Sequence, residues 1–274
     1  MDLVMNSGAC CRQGATGAGR RPGTRLLVAG GALFAISAAV TVGWGASMAA
    51  MPGMPMPGGW TMSMAWMRMP EQTWLGAAAS FLGMWSVMMV AMMMPSLVPV
   101  LWRHRLALGD VAGRRIAARS LVLGTGYFLI WAGQGAVVFP LGVAVAAAAM
   151  RWPLLARAVP LGVAVVVLGA GALQATPWKA RHLACCRGLH PAGRAPASTS
   201  AWKQGLRLGL QCGACCAGLT AVLLVVGVMD LAVMAAVTVA ITAERLAGAR
   251  IARAIGAVLV AAGLFLLLRA VRGG

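Results

Sequence analysis

Residues 206–229, LRLGLQCGACCAGLTAVLLVVGVM, form an apolar run with three cysteines near its start. A run of this length crosses a bilayer as a helix, which takes about 20 apolar residues. On that helix Cys212 and Cys216 stand at i and i+4 and share a face, with Cys215 at its border. Free cysteine can serve as a small hydrophobe, and GLQCGACCAG is rich in the small residues that let membrane helices approach. Three thiols within five residues also form the wall of a soft-metal site, and the remaining sequence is read as what surrounds that wall.

The surroundings are those of a membrane protein. Of the 274 residues, 61% are hydrophobic and only 10% charged, whereas a soluble domain carries about 25% charged residues. Long apolar runs recur from residue 26 onward without the short alternation of barrel strands, so the expected fold is an all-α, polytopic membrane helical bundle. A formal charge of +18 would suggest nucleic acid in a soluble domain. Here Lys and Arg sit between apolar spans, where they set orientation and meet anionic lipid head groups, so lipid is the expected partner and nucleic acid is not. Five of the seven cysteines lie in two tight clusters, which fits thiolate chemistry better than a disulfide framework.

Residues 1–25 are Gly- and Arg-rich without hydrophobic period and are expected to form a disordered basic tail. Residues 26–271 then form a single transmembrane domain. The first span runs from Leu26 to about Ala46. A cleaved signal peptide is the rival reading, but the stretch is long for a signal core and a retained helix is favoured. Further spans are expected at about Trp74–Trp102, Ser120–Met150, Leu154–Leu173, Leu206–Met229, Leu231–Leu246 and Ala254–Leu268, about seven in all. Asp230 marks the turn into the sixth. With the N-terminus in the cytoplasm, the inner side collects four Lys/Arg from the N-terminal tail, five from 103–119, six from 179–207 and three from 245–253. The outer side keeps five. That asymmetry fixes the expected orientation across the inner membrane.

Between the first two spans, residues 48–70 form a Met-rich loop expected on the outer face. Eight methionines fall between positions 48 and 69, interrupted by Pro52, Pro55, Pro57 and the Gly58-Gly59 pair, which forbid a continuous helix. They therefore cannot all be core packing on one helical face. Thioethers select Cu(I) over hard cations, so Met51, Met54, Met56, Met62 and Met64 are candidate copper-capture residues. The other reading is an interfacial loop dipping apolar side chains into the head-group region.

Within the second span Met84, Met88 and Met92 repeat at i, i+4 and i+8 with Met89 and Met93 beside them. Methionine is also a common gap-filler. The orientation places the Met92-Met93-Met94-Pro95 end, the basic loop 174–204 with Cys185 and Cys186, and the start of the cysteine helix at one face, the cytoplasmic one. Cys212 and Cys216 can bind one ion between them with Cys215 or Cys186 as a third donor. Lys179, Arg181, Arg187 and Arg207 nearby favour the thiolates. Thiolates and thioethers suit Cu(I), which two or three soft donors satisfy, while structural zinc wants four, so zinc is the weaker fit. Glu244, an acidic residue at a span end, is a functional suspect, although an ion pair with its neighbour Arg245 is the plainer explanation.

The strings MWSVMMVAMMMPS, GY with Trp131, QATPWK, GLRLGLQCGACC, GVMD and AER follow one another between residues 84 and 245, within a likeness that covers nearly everything from 26 to 270. In this order they resemble a bacterial family of predicted metal-binding integral membrane proteins, the domain of unknown function 2182. The resemblance implies a metal site, for copper, and carries over Met92, Met93, Pro95, Gln174, Pro177, Lys179, Cys186, Arg187, Cys212, Cys215, Cys216 and Glu244. Two positions depart from the pattern: His182 stands where the family has a cysteine, and Leu208 where it has a histidine. His182 retains a donor and Leu208 does not.

No nucleotide-binding loop, carboxylate pair or Ser-His-Asp set is present, and three histidines are too few for a haem or di-iron centre across helices. The expected function is thus non-enzymatic: acquisition, transfer or delivery of copper to a metallochaperone or cuproenzyme partner. The alternative is a membrane assembly subunit whose cysteines and methionines only pack.

Overall fold

In the computed structural model the described residues are 24–49, 53–68, 71–107, 113–187 and 200–272. They form α1 (Thr24–Ala49), a hairpin of β1 (Met54–Met56) and β2 (Trp60–Met62), α2 (Trp74–Ala107), α3 (Gly113–Arg151), α4 (Pro153–Gln174), α5 (Pro177–Arg187), α6 (Ala201–Gly227), α7 (Leu231–Ala247) and α8 (Ala249–Arg272). The expected N-terminal tail lies outside the described residues as far as residue 23, and its last two positions, 24 and 25, belong to α1. Six helices, α1 to α4, α6 and α8, are long and apolar enough to cross a membrane. The sixth expected span, α7, has 17 residues and measures about 26 Å at 1.5 Å per residue, a little under the hydrocarbon thickness of about 30 Å.

Helix ends follow local chemistry. Pro153 opens α4 in the first turn, where its missing N–H costs nothing. Ser200 caps α6 by accepting from the Lys203 amide. Asp230 caps α7 by accepting from the Ala232 and Val233 amides at 2.8 and 3.1 Å, which confirms the turn read from the sequence. Gly248, with φ of +86°, makes the turn into α8.

α2 is the hub of the bundle. It packs against α1, α3 and α7 and is the most buried of the candidate spans. Pro95 and Pro99 lie inside it, tolerated because surrounding helices can satisfy the carbonyls they free. α3 packs on α6 and α4 on α8 through glycines. A Cβ at Gly205 of α6 would fall 2.2 Å from the Leu123 carbonyl oxygen, and one at Gly171 of α4 would meet Val260 of α8 at 2.8 Å. Large side chains such as Leu75, Leu154 and Val258 point outward, largely exposed, as a bundle bathed in lipid requires.

Two segments differ from their expected form. Part of the polar loop 174–204 is the helix α5, whose Lys179, Leu183 and Cys186 at i, i+4 and i+7 turn inward. The Met-rich loop contains an antiparallel hairpin with Met54 opposite Met62 and Met56 opposite Trp60. Gly58 and Gly59, at φ of +101° and +74°, make its turn, a conformation that costs glycine nothing. The hairpin is docked: Met62 is buried with Ala146, Ala149 and Ala156, and the Trp60 indole N–H donates to the Ala156 carbonyl at 2.8 Å.

Candidate metal centre

The glycines of α6 decide where its thiols point. Gly205, Gly209 and Gly213 repeat at i, i+4 and i+8 and lie against Leu123, Tyr127 with Ile130, and Gln134 of α3. This close approach brings the Tyr127 side chain across to α6. Cys212, Cys215 and Cys216 are each at most 2% exposed, so none of the three thiols faces lipid.

Cys212 has three partners from three other helices. The Tyr127 hydroxyl of α3 lies 2.9 Å from its Sγ, Arg245 Nη2 of α7 donates to it at 2.8 Å, and Met93 Sδ of α2 is 3.8 Å away. Arg245 Nη2 also reaches Cys216 Sγ at 3.6 Å, so one guanidinium faces both thiols of the i, i+4 pair. Thiols used only as small packing residues need no such partners. A guanidinium buried beside two sulfurs supplies the positive charge that favours thiolate, and thiolate is the form that binds metal.

α5 closes the other flank. Lys179, 2% exposed, donates to the Cys215 carbonyl at 2.6 Å and pairs with Glu244 Oε2 at 2.7 Å. Gln174 Nε2 at the end of α4 donates to Glu244 Oε1. Glu244 therefore pairs with Lys179 and not with Arg245, which corrects the sequence expectation: residues i and i+1 on a helix face different directions. The network ties α4, α5, α6 and α7 together, and removing one member of such a buried pair costs about 3–5 kcal/mol. It also sets Cys186 beside Cys215, with the Cys186 thiol 3.7 Å from the Gln211 carbonyl. Cys186 lies outside the spans, and its thiol is held below the ordinary thiol range. The hydrogen bond from Cys215 is the largest cause, and Arg245 and Lys179 help against the opposing effect of burial.

The remaining candidates fall into three groups. Met88 and Met92 are buried in the same core cluster as the three α6 thiols. His182 is stacked on Trp178 with centroids 4.1 Å apart, and its Nδ1 lies 3.1 Å from the Trp178 carbonyl, on a more open side of α5 than Lys179 and Cys186. Of the hairpin methionines, Met54 is exposed, Met56 and Met64 are half-buried and Met62 is packed. Met51 and the side chains of Cys185 and Arg187 lie outside what is described.

Two residues of the centre were not singled out by sequence, Tyr127 and Arg245. The available signal was their rarity: a lone tyrosine within an apolar span, and an arginine four residues after Ile241 on the buried face of α7. Among the described residues no group of three or more His, Cys, Asp or Glu side chains is set to hold a metal ion. A thiol and a thioether, those of Cys212 and Met93, do come together. Two sulfurs 3.8 Å apart can share one ion with metal–sulfur bonds of about 2.3 Å. That donor chemistry is soft.

The sequence between residues 82 and 266 matches the family PpoB2, described as a copper chaperone. The chain belongs to this copper chaperone family. The matched region runs from α2 into α8 and contains Met93, Tyr127, Gln174, Lys179, Cys186, the three α6 cysteines, Glu244 and Arg245. The Met-rich hairpin lies outside it. No curated protein and no solved structure matches the chain. A copper chaperone with six candidate membrane helices is a multi-pass membrane protein whose cargo is copper and whose role implies a partner that receives it.

Proposed function

We propose that this copper chaperone binds Cu(I) at the Cys212–Met93 pair, with Cys216, Cys215 and Cys186 as further donors. It passes the ion to a metallochaperone or cuproenzyme without catalysing a reaction itself. The observation that carries this is the position of Cys212 Sγ, 3.8 Å from a buried thioether and 2.8 Å from a guanidinium. Soft donors and a nearby positive charge together suit a monovalent soft ion held by a thiolate. His182 stands as a donor at the edge of α5, Gln174, Lys179 and Glu244 support the α5 wall, and Arg187 is a further supporting candidate from the sequence. Met51, Met54, Met56, Met62 and Met64 collect copper on the outer face.

The arrangement also supports seven crossings within a single domain over 26–271, with the N-terminus in the cytoplasm of a bacterial inner membrane. α7 runs between two capped turns, and both of its charged residues find partners inside the bundle, Glu244 in Lys179 and Arg245 in Cys212. We further read the metal-binding membrane family of the sequence resemblance as the PpoB2 family, because its distinctive strings fall within the matched residues.

The test is titration of the purified, full-length protein with Cu(I) against a chromophoric chelator. A tight site is expected in the wild type and a loss of at least 100-fold, about 2.7 kcal/mol, in Cys212→Ser/Cys216→Ser. Unchanged binding in that variant would leave the thiols to packing and favour the assembly-subunit alternative.

A further inference from the structure

We propose that the buried methionines of α2 form a thioether track along which Cu(I) moves between the hairpin end of the bundle and the Cys212 thiol. The proposal rests on the copper centre described above and adds a route to it.

Met84, Met88 and Met92 repeat at i, i+4 and i+8, with Met89 and Met93 on the adjoining edge, and all five are between 0% and 6% exposed. Side chains at that spacing are neighbours, with Cβ atoms about 5–6 Å apart. Among the described residues, the buried methionines outside α2 are Met62, under the hairpin, and Met234 of α7. Elsewhere the core is built mainly from Leu, Val, Ala and aromatic residues. Packing alone gives no reason for the thioethers to gather on the helix that sets a sulfur against the thiol.

The two ends of the stripe differ in chemistry. At one end Met93 Sδ meets Cys212 Sγ at 3.8 Å. At the other lies an aromatic cluster, with Phe81 5.3 Å from Trp66, 5.8 Å from Trp85 and 5.2 Å from Phe139 between ring centroids. From Phe81 to Met93 is about 18 Å along the helix axis. Trp66 follows the hairpin directly and also packs with the cluster under Met62. The indoles of Trp66 and Trp85 lie over Gly142 and Gly135 of α3, where any Cβ would clash at 2.2 and 2.5 Å. The aromatic cluster therefore marks the hairpin end of the stripe.

A bare cation is strongly disfavoured in such an interior. Sulfur donors on successive turns replace the lost water. Each move breaks one Cu–thioether bond as the next forms; no electron is transferred and copper stays Cu(I). At the inner end the Cys212 thiol gives up its proton to water as the Cu–S bond forms, and the charged thiolate then holds the ion most tightly, so the track ends there.

Met88, midway along the stripe and not among the donors proposed for the copper centre, is the residue to test. The full-length protein is reconstituted in vesicles of determined orientation and given Cu(I) as a weak complex with a membrane-impermeant chelator. Met88→Leu keeps the volume without the sulfur, a swap that cores tolerate; Met88→Cys keeps the sulfur without the volume. The expected result is wild-type equilibrium affinity in both variants. Loading from the hairpin side slows at least tenfold in Met88→Leu and recovers in Met88→Cys, while loading from the opposite side is unchanged. Wild-type loading in Met88→Leu, or equal slowing in both variants, would overturn the track and leave Met88 to packing. A wild-type protein without tight Cu(I) at equilibrium would instead refute the thiol centre itself, and the track with it.

Discussion

Arg245 changes what the cysteine cluster can do. Its guanidinium, always charged, reaches Cys212 and Cys216 together, so it sets a positive charge against both sulfurs of the i, i+4 pair. Met93 contributes the thioether, and Met93→Leu should weaken Cu(I) binding about tenfold, or about 1.4 kcal/mol, while leaving the fold intact; chelator competition measures it. Cys186 is a second handle. Its lowered thiol pKa, caused first by the hydrogen bond from Cys215, means that the thiolate persists to lower pH than an ordinary cysteine allows. In a Cys185→Ser background, alkylation of Cys186 should show a midpoint below the usual thiol range. Cys215→Ala should move that midpoint upward, which a pH series of labelling rates followed by mass spectrometry will show.

At the level of elements, α5 matters more than its 11 residues suggest. It is amphipathic only through Lys179, Leu183 and Cys186, and two of those three are polar, so hydrophobic periodicity gave no sign of a helix in the segment. What fixes α5 is the Lys179–Glu244 pair, each side chain 2% exposed. Lys179→Met or Glu244→Leu alone should destabilise the protein by about 3–5 kcal/mol, because each leaves an uncompensated buried charge. The double variant should recover most of that loss, since no lone charge remains. Thermal unfolding in detergent will show whether the two effects are non-additive in this way.

For the whole molecule, the apolar runs announced helices, and the Gly58-Gly59 pair among prolines announced a break between the first two. The convergence of Met93 with the α6 cysteines was legible as a shared membrane depth. The partners of Cys212 were not, because a positive-inside reading assigns every arginine to a loop, whereas Lys179 and Arg245 are spent inside the bundle. Removing those two from the inner side still leaves 16 basic residues there against 5, so the proposed orientation survives. A cysteine placed at Arg68, exposed after the hairpin, should react with an impermeant maleimide from outside intact cells. One placed at Lys203, at the start of α6, should react only after permeabilisation.

Copper K-edge X-ray absorption of the loaded, full-length protein addresses the thiol–thioether centre directly. A reduced, sulfur-only coordination shell is expected in the wild type, and its loss in Cys212→Ser/Cys216→Ser. A shell dominated by nitrogen or oxygen, unchanged when those two cysteines are replaced, would contradict it.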